Sequence, residues 1–203
     1  MTGHPRHDGR SARLNQPDLF AEREAGPEGF RYRADLLEAA EAALLAQRLA
    51  DLPFQPFDFH GHLANRQVVG FGLRYDYATR QVKAAPPIPD WLMGLREKAA
   101  FFADRPAEAF VQVLINAYPP GSGIGWHKDK PHFEEVVGVS LGAPCTLRFR
   151  LKKGEGWERQ SLLVEPRSAY LLSGPARWLW EHSIPPLQAH RHSITFRTLA
   201  SDR

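Results

Sequence analysis

His127 and Asp129 stand two positions apart at the close of the stretch Asn116-Ala-Tyr-Pro-Pro-Gly-Ser-Gly-Ile-Gly-Trp-His-Lys-Asp129. In an extended segment residues i and i+2 point to the same face, so the imidazole and the carboxylate can reach one ion. Taken alone, the pair fits a buried histidine hydrogen-bonded to a nearby aspartate just as well. A third donor is available at His182, which ends the strand-like run beginning at Trp178. Two imidazoles and one carboxylate leave three positions open on an octahedral iron, enough to admit a cosubstrate and O₂. Nitrogen and oxygen donors suit zinc and manganese as well, so ligand type leaves the metal open.

The C-terminal run Arg191-His-Ser-Ile-Thr-Phe-Arg197 narrows the chemistry. Read as a strand, it places residues 191, 193, 195 and 197 on one face and so sets two guanidinium groups along an inward row. A buried arginine needs an anionic partner, and its planar fork matches a carboxylate through two parallel hydrogen bonds. A dicarboxylate ligand answers both requirements. By the same alternation His192 points away from this row, and neither it nor His190 is assigned to the site.

These residues need a β scaffold to bring them together. The 203 residues suit a single core. From residue 108 to 199 the chain breaks into seven short apolar runs, Phe110–Tyr118, Val136–Leu141, Thr146–Leu151, Trp157–Val164, Ala169–Ser173, Trp178–Ser183 and Arg191–Thr198, with a hairpin expected at Lys153-Gly-Glu-Gly156. That pattern argues for a sandwich or barrel. Ahead of it, residues 29 to 107 carry a strand at Phe30–Arg33 and a helix capped by Asp35 and running from Leu36 to Leu49. Short strands at Phe54–Phe59 and Gln67–Gly72 come next, then a flap around Tyr75 and Tyr77, and a second helix from Asp90 to Phe102. His60 and His62 fall in a loop between the two short strands. Trp126, Trp178 and Trp180 are expected in the core or pocket wall, and Cys145 as a small buried residue.

Residues 1 to 28 are polar and rich in Pro, Gly and Arg, and are expected to form a flexible tail. Within them Gln16-Pro-Asp-Leu19-Phe20 resembles the bacterial sliding-clamp-binding peptide, which implies a clamp contact through Gln16, Leu19 and Phe20. A single cysteine rules out an internal disulfide and a thiolate cluster. The formal charge of +3 permits nucleic-acid binding without requiring it. With no long apolar run and no apolar leader-like segment, a cytoplasmic location is the expectation.

Taken together, Asn116-x-Tyr118, His127-x-Asp129, His182 and Arg191-x-Ser193-x-Thr195-x-Arg197 resemble the AlkB family of Fe(II)/2-oxoglutarate dioxygenases, most closely over residues 108 to 199. The resemblance implies a mainly β fold with N-terminal helices and a double-stranded β-helix (jelly-roll, cupin-like) core. It implies Fe(II), 2-oxoglutarate and O₂ as the reagents, with His127, Asp129 and His182 as iron ligands. Arg191 and Tyr118 would hold the distal carboxylate of 2-oxoglutarate, with Arg197 and Asn116 near its other end. Ser193 stands where the family has Asn; its shorter side chain implies weaker cosubstrate binding. The implied reaction hydroxylates a C–H bond next to nitrogen, so that an N-methyl group leaves as formaldehyde from a base in DNA. RNA or protein side chains are alternative substrates, and a non-catalytic binder of alkylated DNA is a further alternative. For the substrate, Tyr75 or Tyr77 of the flap would clamp a flipped base, with Lys130 and His132 beside it. Pro131 stands where repair enzymes of the family often carry an acid, so the base preference departs from theirs.

Overall fold

The computed structural model describes residues 26–59, 62–76 and 81–200. The described elements are β1 (Phe30–Arg33), α1 (Ala39–Ala50), β2 (Gln55–Phe59), β3 (His62–Phe71), β4 (Leu73–Asp76), β5 (Gln81–Ala84) and α2 (Met93–Ala103), followed by β6 (Phe110–Tyr118), β7 (Ile124–His127), β8 (Phe133–Gly142), β9 (Cys145–Lys153), β10 (Gly156–Val164), β11 (Ala169–Leu172), α3 (Gly174–Trp178), β12 (Glu181–Ile184) and β13 (Arg191–Leu199). A seven-stranded antiparallel sheet runs β1-β11-β8-β13-β6-β3-β2, and a four-stranded sheet β10-β9-β12-β7 packs against it. β4 and β5 form a separate hairpin.

Alternation along the central strands sorts the residues into two cores. Val113 and Ile115 of β6, Val137 and Val139 of β8, and Ile194 and Phe196 of β13 pack outward on Leu45 and Leu49 of α1 and on Leu95, Ala99 and Phe102 of α2. The opposite face, with Tyr118, Val136, Tyr170 and Leu172, packs against Leu147, Phe149 and Ile184 of the smaller sheet. Two helices backing a double sheet agree with the sandwich or barrel expected from the strand spacing and with the jelly roll that the family resemblance implies. Cys145 is buried within the second core, and burial pushes its thiol up despite the nearby Arg191 charge.

Four local expectations are corrected. The first helix begins at Ala39, because Leu37 donates its N–H to the Arg167 carbonyl and so holds Asp35 to Glu38 off the helix; Asp35 adopts φ 49° and pairs with Arg167 at 2.7 Å. Between the two strands expected at Ala169–Ser173 and Trp178–Ser183, Gly174 to Trp178 forms α3, which takes Trp178 out of the second strand, since Pro175 supplies the fixed φ that suits a first helical turn. His182 consequently sits inside β12 and not at the end of a longer strand. The extended segment expected to hold both His127 and Asp129 is the edge strand β7, Ile124–His127, and Asp129 lies beyond its end. Trp126 is on the outer face of the smaller sheet and not in the core, although Trp180 is buried as expected. His60 and Tyr77, like Gln16, Leu19 and Phe20, fall outside the described residues.

His192 tests the pleat directly. Its ring lies 5.7 Å from Phe54, on the opposite face from Arg191, and burial, then the neighbouring His190 and Arg191, lower its pKa to about 4. Because the folded value lies below the ordinary 6.5, the unfolded chain takes up this proton first on acidification. Stability is therefore lost as pH falls from about 6.5 towards 4. His192→Gln is expected to lose less melting temperature than the wild type over that window, and scanning calorimetry of both proteins at pH 7 and pH 5 checks it.

Candidate active site

The ligand-type residues converge at the mouth between the two sheets. Antiparallel pairing of β7 with β12 sets His127 directly opposite His182, with ring centroids 4.2 Å apart and an interplanar angle of 54°. The segment leaving β7 turns Asp129 inward, so that its Oδ2 lies 3.7 Å from His182 Nε2. Its Oδ1 accepts a hydrogen bond from Arg197 Nη2 at 3.0 Å. His127 Nδ1 lies 2.9 Å from the Gly125 carbonyl, which can only accept, so the proton sits on Nδ1 and Nε2 keeps its lone pair. Among the described residues no three His, Cys, Asp or Glu side chains stand in closed metal geometry.

The electrostatics favour a cation. Burial, reinforced by the neighbouring His127, lowers the His182 pKa to about 3, and burial lowers His127 too, so both imidazoles are neutral near pH 7. Burial alone would raise the Asp129 carboxyl, but Arg197, then His182, His127 and Arg177, hold it well below the ordinary carboxylate range. Two neutral imidazoles beside an ionised carboxylate, each oriented by an outer hydrogen bond or a strand pairing, fit a divalent ion.

A second group fits a dicarboxylate. Arg191 is fully buried and donates from Nε to Ser140 Oγ at 3.0 Å; its Nη1 and Nη2 are buried without a hydrogen-bond partner among the described residues. Its guanidinium carbon lies 5.2 Å from the centre of the Tyr118 ring, to which β13–β6 pairing brings it. A buried cation with two unsatisfied donors is costly unless an anion completes it. On the same inward row, Asn116 accepts from Arg66 Nη1 at 2.8 Å and donates from Nδ2 to Ser193 Oγ at 3.3 Å. A cavity of about 30 Å³ is lined by the three ligand-type residues together with Tyr118, Ser193 and Arg197.

A larger cavity of about 500 Å³ adjoins it, bounded by His127, Asp129 and Lys130 on one side and by Arg66, Val68 and Leu114 of the seven-stranded sheet on the other. Lys130 lines this cavity; His132 does not, and its carbonyl instead accepts from the Ala200 N–H. Tyr75 belongs to β4.

Three polar residues of this region were missed in the sequence. Gln112, 5% exposed, accepts from Arg197 Nη1 at 3.0 Å; a glutamine inside the apolar run of β6 was the available signal. Arg66 gave none, standing in a stretch read as loop. Arg177, which lies between the expected strands Ala169–Ser173 and Trp178–Ser183, is 2% exposed and donates from Nη2 to the carbonyls of Lys130 and Phe133 at 2.5 and 2.6 Å. It thereby clamps the segment that follows Asp129. Arg177→Met is expected to lower kcat/KM about tenfold to a hundredfold, the equivalent of two lost charged hydrogen bonds less relaxation. Faster amide exchange over residues 130–133, read by mass spectrometry, checks the cause.

Comparison with known proteins places this geometry in a class. A family model for the 2OG-Fe(II) oxygenase superfamily matches residues 29–198, and the chain belongs to that superfamily, whose members use Fe(II), 2-oxoglutarate and O₂. Within it the chain is of AlkB type. It is 30% identical over 147 residues to an Arabidopsis thaliana protein named alkylated DNA repair protein ALKBH8 homolog, covering 61% of this chain and 42% of the relative. It is 31% identical over 137 residues to the Mus musculus tRNA (carboxymethyluridine(34)-5-O)-methyltransferase ALKBH8, covering 64% of this chain and 20% of the relative. The chain thus spans less than half the length of either. The solved structure of OsALKBH1 shares the fold, with a TM-score of 0.60 at 19% identity, covering 84% of this chain and 96% of that one.

Proposed function

We propose that this protein carries out Fe(II)/2-oxoglutarate-dependent oxidative dealkylation of N-alkylated bases in DNA. The observation that carries the reading is Arg191, a fully buried cation whose two Nη groups have no hydrogen-bond partner among the described residues and whose guanidinium faces Tyr118, a wall of the cavity that His127, Asp129 and His182 line. In this reading those three residues hold the iron, Arg191 and Tyr118 grip the distal carboxylate of 2-oxoglutarate, and Asn116, Ser193 and Arg197 line the rest of its berth. With the iron bound, the pair supplies oxidation of a C–H bond by O₂, coupled to conversion of 2-oxoglutarate to succinate and CO₂. The chain supplies position. Arg197 fixes Asp129 through one oxygen and leaves the other for the ion, and Gln112 fixes Arg197 in turn.

The 500 Å³ cavity is of a size to take a base swung out of its stack, with Val68, Leu114 and Phe133 as apolar walls. Lys130 at its rim suits a flanking phosphate. Tyr75 or Tyr77 would cover the base, with His132 behind the Lys130 segment. The name of the Arabidopsis relative favours DNA and that of the mouse relative favours tRNA, so the test is a panel. DNA and RNA oligonucleotides carrying 1-methyladenine or 3-methylcytosine are incubated with Fe(II), 2-oxoglutarate and O₂, and mass loss of one methylene is read. Loss on DNA supports the proposal, loss on RNA alone moves the substrate to RNA, and succinate formed with no nucleic acid demethylated points to protein side chains. Binding of alkylated DNA with no succinate formed would make the protein a non-catalytic binder. A clamp contact through Gln16, Leu19 and Phe20 is tested separately, by comparing retention of the clamp on intact protein and on Leu19→Ala/Phe20→Ala.

A further inference from the structure

The outer face of the four-stranded sheet carries an unusual set of residues. Pairing of β9 with β10 sets Lys152 opposite Trp157, Arg150 opposite Arg159 and Arg148 opposite Ser161, all on the side away from the core residues Leu147 and Phe149. Arg150 lies between two indoles, its guanidinium carbon 4.6 Å from the Trp126 ring centre and 4.2 Å from that of Trp157. Arg148 also approaches Trp126, at 5.1 Å, and the Lys152 ammonium approaches Trp157 at 5.3 Å. Four cations thus share the face with one acid, Glu181, which accepts from Arg150 Nε.

This arrangement costs stability as an isolated surface, because like charges directly opposite on neighbouring strands repel. Among the described residues Arg148 and Arg150 each donate a hydrogen bond from Nε, to Ser183 and Glu181, and the indoles hold their planes in place. Their outer nitrogens are therefore pre-set rather than floppy, the condition that favours planar recognition of phosphate. The face also continues into the active-site mouth. Trp126 is on the edge strand β7, and Lys128, two residues on, is exposed and lines the 500 Å³ cavity. Two residues of extended chain span only about 7 Å.

We propose that this face, through Arg148, Arg150, Lys152 and Arg159, binds the phosphate backbone of the single nucleic-acid strand flanking the base that enters the cavity. The inference rests on the nucleic-acid reading above and adds a path for the strand, around the β7 edge by way of Lys128. Negative charge complementary to four cations on a face that leads to the mouth selects this occupant over an apolar one.

The test compares wild type with Lys152→Gln/Arg159→Gln, two exposed positions, using fluorescence anisotropy of a labelled unmodified 20-mer single strand across a salt series. The double variant is expected to bind about tenfold more weakly, with the slope of log affinity against log salt shallower by about 0.7 for each phosphate no longer neutralised. KM for a methylated 20-mer should rise by a similar factor while KM for a methylated trinucleotide, too short to reach the face, changes less than twofold. Hydrogen exchange on the wild type should show protection of residues 146–163 when the 20-mer is added. Equal affinity and salt slope in variant and wild type, with demethylation intact, would overturn the surface proposal and leave the nucleic-acid reading standing. Displacement of the labelled strand by polyglutamate as readily as by unlabelled strand would overturn it in favour of an acidic protein. A wild type that neither binds nor demethylates any oligonucleotide would overturn the underlying reading itself.

Discussion

Arg191→Met is expected to abolish the thermal stabilisation conferred by 2-oxoglutarate while raising the melting temperature of the ligand-free protein. The two effects have one cause. Arg191 is fully buried, and among the described residues only its Nε finds a hydrogen-bond partner, Ser140. Without an anion, the fold carries the desolvation cost of a cation that is incompletely compensated, and exchanging such a group for an apolar one of similar volume is commonly neutral or stabilising by about 1 to 4 kcal/mol. With a dicarboxylate bound, the same group contributes two charge-assisted hydrogen bonds of about 1.5 to 3 kcal/mol each. Their loss corresponds to more than a hundredfold in affinity for 2-oxoglutarate. Thermal melts of both proteins with and without 2-oxoglutarate measure all four corners of this cycle. A variant that melts lower than wild type and still gains stability from 2-oxoglutarate would show that Arg191 is a structural cation and that the dicarboxylate binds elsewhere.

Asp129→Ala should have the opposite sign on stability and the larger effect on turnover. Asp129 and Arg197 form a buried pair at 3.0 Å with side-chain exposures of 12% and 10%. Removing the carboxylate strands the guanidinium, and breaking a buried pair in this way costs about 3 to 5 kcal/mol. Gln112 still accepts from Arg197 Nη1 and softens the loss. The variant also removes the one anionic donor facing the two imidazoles. Iron retention, read by atomic emission after anaerobic loading and gel filtration, should fall to background, and succinate formation should drop at least about a thousandfold, as for loss of an essential member of a cooperating set. Asp129→Asn separates the contributions, since it keeps the shape and a hydrogen-bond acceptor for Arg197 but not the charge. It should fold better than the Ala variant and bind iron no better. Full iron retention in either variant would remove Asp129 from the metal site.

The parts of the site that were legible in the sequence are those written on strands with one buried face. Along β13 the polar residues 191, 193, 195 and 197 alternate with Ile194 and Phe196, and the period of two is enough to say that the guanidinium groups face inward. Pairing then delivers Tyr118, Asn116 and Gln112 of β6 opposite them. The order of His127, Asp129 and His182 was readable for a similar reason, although the alternation argument applied to only half of the pair: Asp129 lies beyond the strand and is aimed by Arg197. What could not be read was which way a residue faces where the periodicity breaks. α3 is a five-residue helix that includes Pro175 and lies between two expected strands, where no periodicity tells that Arg177 faces inward. Trp126 was expected inside because indoles are mostly apolar, but on β7 it neighbours an inward His127 and must point outward, where Arg148 and Arg150 cover it. The cavity wall from the front half, with Arg66 and Val68, depends on β3 joining β6 at the far edge of the larger sheet, a long-range pairing that no local pattern announces.

The most direct test of the proposed reaction is stoichiometric. Wild-type protein is given Fe(II), 2-oxoglutarate, O₂ and a single-stranded DNA carrying one 1-methyladenine, and succinate, formaldehyde and repaired adenine are quantified in the same sample. The three products are expected in equal amounts, and succinate is expected to fall sharply when the methyl group is absent. Succinate formed at the same rate with methylated and unmethylated strands, and without formaldehyde, would contradict the proposed reaction.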